Sequence, residues 1–176
     1  MKLAQLLLVT SLGMAPALAV HAFTAAAGKP RLEVVFLEPE KFTDVRDSYM
    51  SSDVDRSGYL DQIRDYLVSQ SRYCVPEGQK LFITITDVDM AGDFEPWHGP
   101  QWNDVRIVKD IYPPRIKLSF RLVDAEGNVL KQGDRDLRDL AFMMRISIVD
   151  RNDPVRYEKA LLDDWMRSEF PRVRKN

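Results

Sequence analysis

Residues 115–139 read RIKLSFRLVDAEGNVLKQGDRDLRD. Ile116, Leu118, Phe120 and Leu122 alternate with Lys117, Ser119 and Arg121, a period of two that turns one set toward a core and the other toward water. DAEGN then supplies turn chemistry and VLKQGDRDLRD returns, so the stretch predicts a β-hairpin. Upstream, KLFITIT at 80–86 is the clearest single strand, with Leu81, Ile83 and Ile85 set against Phe82, Thr84 and Thr86. RLEVVFLEP places Leu32, Val34 and Phe36 on one face and is ended by Pro39. VRIVKDI, ahead of Tyr112-Pro113-Pro114, predicts a short strand.

Two helices fit between and after these strands. From Gly58 onward Leu60, Ile63, Leu67, Gln70 and Cys74 share a face, while Asp61, Arg64 and Asp65 face water. Ser57 is placed to cap this helix, with Asp53, Asp55 and Asp61 near the positive end of its dipole. Asp153-Pro154 marks a second start, followed by an apolar stripe of Tyr157, Leu161, Leu162 and Trp165 down to Phe170. LAFMMRISIVDRN fits either strand or loop. The order strand, helix, strand, strand, hairpin, helix predicts a single α+β domain, a mostly antiparallel sheet with two helices packed on one face. The helical crossover at 58–73 predicts that strand 32–37 runs parallel to strand 81–86.

The chain opens with an export pattern. Lys2 gives a short basic region, residues 3–20 an apolar one, and Ala17-Leu18-Ala19 or Val20-His21-Ala22 a small-x-small cleavage site. The apolar run is short and broken by Pro16, unlike a spanning helix, and no cysteine near the cleavage sites offers a lipid anchor. Residues 1–22 are therefore expected to be a cleaved signal peptide, 23–31 a linker, 32–171 one globular domain and 172–176 a basic tail. The expected location is the periplasm or the exterior, with no membrane anchor after cleavage. About 150 residues are enough for a core without staples. Cys74 is the sole cysteine, and its place on a helical apolar face predicts a buried thiol rather than a nucleophile. With 25 basic and 27 acidic residues interspersed, the chain lacks the one-sided basic surface that nucleic acid requires.

Two acidic stretches invite a metal. DVDRSGYLDQIR at 53–64 carries much of a calcium-loop pattern, with Asp53 and Asp55 as its first ligands. Its twelfth position is Arg64, where such a loop needs a bidentate glutamate, and no apolar helix precedes it. The second stretch, 87–110, is a long loop leaving a central strand, of the kind that is often functional. It presents Asp87, Asp89, Asp93, Glu95, Trp97, His98, Trp102, Asp104, Arg106 and Asp110. Acids beside indoles suit sugar or peptide recognition. Asp87 and Asp89 form the seed of a cation site. As a third account, they pair with Arg106 or Arg115. Asp87, Asp89 and Glu95 are the candidates for carboxylate catalysis. A serine elbow, a zinc ligand set and a glycine-rich phosphate cradle are all missing from the sequence.

PEKFTDVRD, TDVDMAGDFEPW, VRIVKDIYPPRIKLSFRL and RYEKALLDDWMRSEF together resemble an exported bacterial family catalogued as domain of unknown function 3016. The resemblance runs from about Val34 to Phe170. Its signature falls on Phe42, Thr43, Asp44, Thr86, Asp87, Asp89, Gly92, Glu95, Pro96, Trp97, Arg106, Asp110, Tyr112, Pro113, Pro114, Arg156, Tyr157, Glu158, Lys159, Asp164 and Trp165. The resemblance implies a Gram-negative envelope location and one compact domain, and it brings no activity, cofactor or catalytic residue.

Three functions follow as expectations. The first is a non-catalytic envelope domain that binds another protein or a cell-wall component through Asp87, Asp89, Asp93, Glu95, Trp97, Trp102, Arg106 and Asp110. The second is a carboxylate- or metal-dependent hydrolase of a cell-wall polymer. The third is a purely structural network in which Arg106, Arg115 and Arg156 pair with Asp87, Asp110, Glu158 and Asp164. No cofactor and no nucleic-acid partner are expected.

Overall fold

The computed structural model describes residues 31–46, 53–144 and 152–170. The expected signal segment, residues 23–30 of the expected linker and the basic tail lie outside them, as do the side chains of Asp53 and Asp55. Four strands form the main sheet: β1 (Leu32–Phe36), β2 (Lys80–Asp89), β5 (Arg115–Val123) and β6 (Val129–Arg138). They lie in the order β1-β2-β5-β6. β1 runs parallel to β2, with Val34 beside Ile83, and the remaining pairs are antiparallel. The β5–β6 hairpin closes at Asp124, which exchanges backbone bonds with Asn128 and Gly127. A two-stranded ribbon, β3 (Asp93–Phe94) with β4 (Arg106–Ile107), stands apart.

One face of the sheet carries the core. Leu81, Ile83, Ile85, Ile116, Leu118 and Phe120 are buried there against Leu60, Ile63 and Leu67 of α1 (Asp53–Cys74) and Leu161, Leu162 and Trp165 of α2 (Arg156–Glu169). Phe120, Trp165 and Phe170 meet edge to face at 5.5–5.7 Å. Gly133 stands opposite Phe120 on β6, where a Cβ would lie 3.4 Å from that ring and 2.8 Å from the Arg135 guanidinium. The same guanidinium grips Glu169 at 2.8 and 2.9 Å and so ties the end of α2 to the sheet. Among the described residues no helix is long and apolar enough to cross a membrane.

Three expectations need correcting. α1 begins at Asp53, not at Gly58 behind a Ser57 cap, so residues 53–64 are continuous helix. A calcium loop needs its glycine at a sharp turn, and Gly58 lies inside the helix instead. Second, β2 runs on to Asp89, so Asp87 and Asp89 belong to a strand and not to the loop. The register shifts between Ile85 and Asp87. One extra residue at Thr86 reverses the alternation, so Val88 and Met90 enter the core while Asp87 and Asp89 face away from it. Third, α2 starts at Arg156, and Asp153 accepts the Val155 N–H at 2.9 Å one step ahead of the helix. The ambiguous stretch after Asp139 holds a short 3₁₀ turn at Phe142–Met144, and residues 145–151 lie outside the description.

Candidate functional site

The far end of β2 organises the site. Residues 42–46 lie alongside it and extend the parallel edge begun by β1: the Asp44 N–H donates to Val88 and the Met90 N–H donates to Asp44, both at 3.0 Å. The adjacent Thr43 donates its N–H and hydroxyl to the Asp87 carboxylate at 2.9 and 3.0 Å, with the Lys117 ammonium 3.3 Å away. Burial acts to raise the Asp87 proton affinity, but the bonds from Thr43 and Lys117 outweigh it and hold the carboxyl below its usual range.

Asp44, only 7 % exposed, receives both terminal nitrogens of Arg106 at 2.8 and 3.1 Å. The same guanidinium donates to the carbonyls of Gly92 and Arg46 at 2.9 and 2.8 Å and lies 4.7 Å from the centre of the Phe94 ring. Arg46 adds a third cationic bond to Asp44 at 2.9 Å. Gly92 makes this close approach possible. Its φ is +82°, and a Cβ would sit 2.9 Å from the Ile107 carbonyl oxygen.

Glu95 is the second buried acid of the region. Lys109 reaches both its oxygens at 2.7 Å, the Tyr112 hydroxyl donates at 3.0 Å, and His98 Nε2 lies 2.8 Å from Oε2. The Lys109 bond, against the opposing effect of burial and with help from Tyr112 and His98, keeps the carboxyl below its usual range. The hydrogen bond to Glu95 pushes the Tyr112 phenol up in turn.

Asp89 differs from these acids. Burial raises its proton affinity, the neighbouring charges of Asp44, Asp87 and Asp93 raise it further, and Arg106 only partly offsets them. It lines a cleft of about 300 Å³ together with Arg46, Asp93, Ile111, Tyr112 and Arg138. Asp93 shares that cleft and accepts from Phe94 N–H at 2.7 Å and from Arg46 at 3.5 Å. Beyond the ribbon, two 3₁₀ turns, Pro96–His98 and Pro100–Trp102, leave Trp97 69 % and Trp102 41 % exposed. Asp104 and Asp110 are exposed as well.

Arg106 and Arg115 pair with acids other than those expected. Arg106 holds Asp44. Arg115 makes a two-point bridge to Asp136 at 2.7 and 2.5 Å. Arg156 bonds to the Asp153 carbonyl and the Tyr157 hydroxyl. Glu158 is buried and accepts the Ala91 N–H at 2.7 Å, while Asp164 stands on α2 beside Trp165. Sequence reasoning from spacing passed over Asp44, Arg46, Lys109 and Tyr112 as site residues, although Asp44 and Tyr112 are both in the resemblance signature. Among the described residues no three His, Cys, Asp or Glu side chains converge as ion ligands. Cys74 is buried, and burial, with Asp163 adding to it, pushes its thiol up to about 11, far from a nucleophile's range.

No curated protein and no solved structure gives a significant match to the chain. The family model described as "Protein of unknown function (DUF3016)" matches residues 30–168, which spans the sheet, α1, the Asp44–Arg106 and Glu95 clusters and nearly all of α2. The chain belongs to this family.

Proposed function

We propose that this protein is an exported domain of the bacterial envelope that acts by binding, and that its contact surface is the Trp97–Trp102 end of the loop between β2 and β5. The observation that carries this reading is a division of labour within the loop. Glu95 and Arg106 face inward, each with several partners, and hold the chain from within. The two indoles are left outside on turns bounded by Pro96, Gly99 and Pro100. Exposed aromatic rings on a fixed loop lose little entropy on contact and offer stacking area to a sugar or a protein anchor. The export pattern at the start of the chain supports the location. Sedimentation of the purified protein with isolated cell-wall sacculi, and cross-linking in envelope extracts, test the reading. The Trp97→Ala/Trp102→Ala variant should keep its melting midpoint and lose capture in whichever of the two assays the wild type scores. Undiminished capture by that variant contradicts the proposal.

Asp89 favours a second reading, a carboxylate hydrolase of a cell-wall polymer. Its proton affinity is raised and it faces a cleft, as a general acid requires. Asp87 and Glu95 serve that role less well, since both are held in the ionised form by their donors. Release of soluble fragments from sacculi by the wild type and not by Asp89→Asn supports this alternative, and no release removes it.

A further inference from the structure

Glu95 and Glu158 are the two most deeply buried acidic side chains of the described residues, and their surroundings are opposite. Glu95 meets an ammonium, a phenol and an imidazole. Glu158, in the first turn of α2, has no exposed surface. Its Oε1 accepts the Ala91 N–H at 2.7 Å, and its Oε2 has no hydrogen-bond partner. The charges that act on it are the cations Arg106 of β4 and Arg156 of its own helix, and neither bonds to Oε2. Arg106 also pairs with Asp44, which Arg46 bonds as well. The phenols of Tyr59 and Tyr157 join Arg106 and Arg156 around a cavity of about 230 Å³ beside Ala91.

Ala91 is the middle of a hub. Met90 donates its N–H to Asp44, Gly92 donates to the Tyr112 carbonyl, and the Gly92 carbonyl accepts Arg106. Three successive residues thus hold the 42–46 segment, the turn at Tyr112 and, through Glu158, helix α2.

We propose that Glu158 is a proton-operated latch between α2 and the 90–112 loop, closed while the carboxyl is neutral and loosened when it ionises. A neutral acid leaves one weakly polar oxygen unsatisfied, whereas an ionised one leaves a fully buried carboxylate with Oε2 unbonded, which is far more costly. Burial accordingly pushes this carboxyl up to about 7, against the pull of the Ala91 bond and of Arg106 and Arg156. The stable place for the ionised form is in contact with water, and admitting water from the adjoining cavity means parting the first turn of α2 from residues 90–92. The latch is independent of what the loop binds.

Hydrogen exchange of the 90–112 amides in the full chain tests it, at about pH 5.5 and about pH 8 with intrinsic exchange rates divided out. Wild-type protection should fall about tenfold or more across that range, and Glu158→Gln, which is neutral throughout, should show no such fall. Constant wild-type protection overturns the proposal, and so does an equal fall in the glutamine variant. Should Glu158→Gln fail to fold, the carboxyl carbon of Glu158 is titrated in the wild type by NMR. An ionisation midpoint in the ordinary glutamate range overturns the latch, and one near neutrality supports it.

Discussion

Arg106 grips Asp44 with both terminal nitrogens, at 2.8 and 3.1 Å, across sixty-two residues of sequence. The pair fastens the segment after β1 to the ribbon that carries the exposed indoles, and it is partly shut off from water, Asp44 at 8 % and Arg106 at 16 % side-chain exposure. Removing Asp44 strands the Arg106 charge, and removing Arg106 leaves the buried Asp44 carboxylate only its bond from Arg46. Asp44→Ala and Arg106→Ala should each cost about 3–5 kcal/mol, read as a fall of at least about 6 °C in the thermal midpoint. Arg106→Lys keeps the charge but not the fork that also reaches the Gly92 and Arg46 carbonyls, so it should rescue little.

Glu158 makes stability depend on pH in a defined direction. Its proton affinity is higher in the folded chain, about 7, than its ordinary value of 4.5. The folded state therefore holds this proton where the unfolded state has released it. The stabilisation is complete below the ordinary value and is lost as the pH rises through the folded one. Relative to the wild type, Glu158→Gln should gain on the order of 3 kcal/mol between about pH 4.5 and about pH 8, measured by urea unfolding. A constant difference between the two proteins contradicts the assignment. Asp87 and Glu95 work in the opposite sense, since their carboxyls are held below the usual range. Their stabilisation is present at neutral pH and is lost in acid.

Trp165 is buried with its indole nitrogen unpartnered. Its contribution is therefore ring packing against Phe120 and Phe170, at 5.7 Å from each. Trp165→Phe gives up a donor that nothing accepts, so it should cost less than about 1.5 kcal/mol. Trp165→Ala should cost about 3–5 kcal/mol. Denaturant melts of the two variants separate packing from hydrogen bonding.

Gly92 and Gly127 both have φ near +80 to +90°, but only Gly92 has a neighbour in the way, the Ile107 carbonyl oxygen 2.9 Å from a built Cβ. Gly127→Ala should cost about 1 kcal/mol, the left-handed backbone alone. Gly92→Ala should cost more than about 2 kcal/mol, because β4 must also move. Equal losses in the two variants would mean that the approach of β4 is not tight.

The sheet was legible because alternation survives wherever one face is buried, and Leu81/Ile83/Ile85 and Ile116/Leu118/Phe120 obey it. The end of β2 was not legible. Strict alternation would put Asp87 in the core, where an unpaired acid does not fit, whereas a bulge at Thr86 turns the acid outward and lets the strand continue. The first turn of α1 was hidden for a different reason: Asp53 to Gly58 carries no apolar stripe, only the single Val54 among polar residues and a glycine of poor helix propensity. At the site, no local pattern reports that Asp44 meets Arg106 or that Lys109 and Tyr112 close over Glu95. Glu158 did leave a trace. It lies four residues before Leu162 and seven before Trp165, on the buried stripe of α2, where an acid demands an explanation.

The central claim is that the inward charges hold the loop while the outward indoles are free for contact. Its most direct test is the thermal midpoint of Trp97→Ala/Trp102→Ala. Exposed side chains that support nothing should leave stability within about 0.5 kcal/mol, a shift of no more than about 2 °C. A fall as large as that of Asp44→Ala would mean that the indoles are part of the fold, and the proposed contact surface would then be wrong.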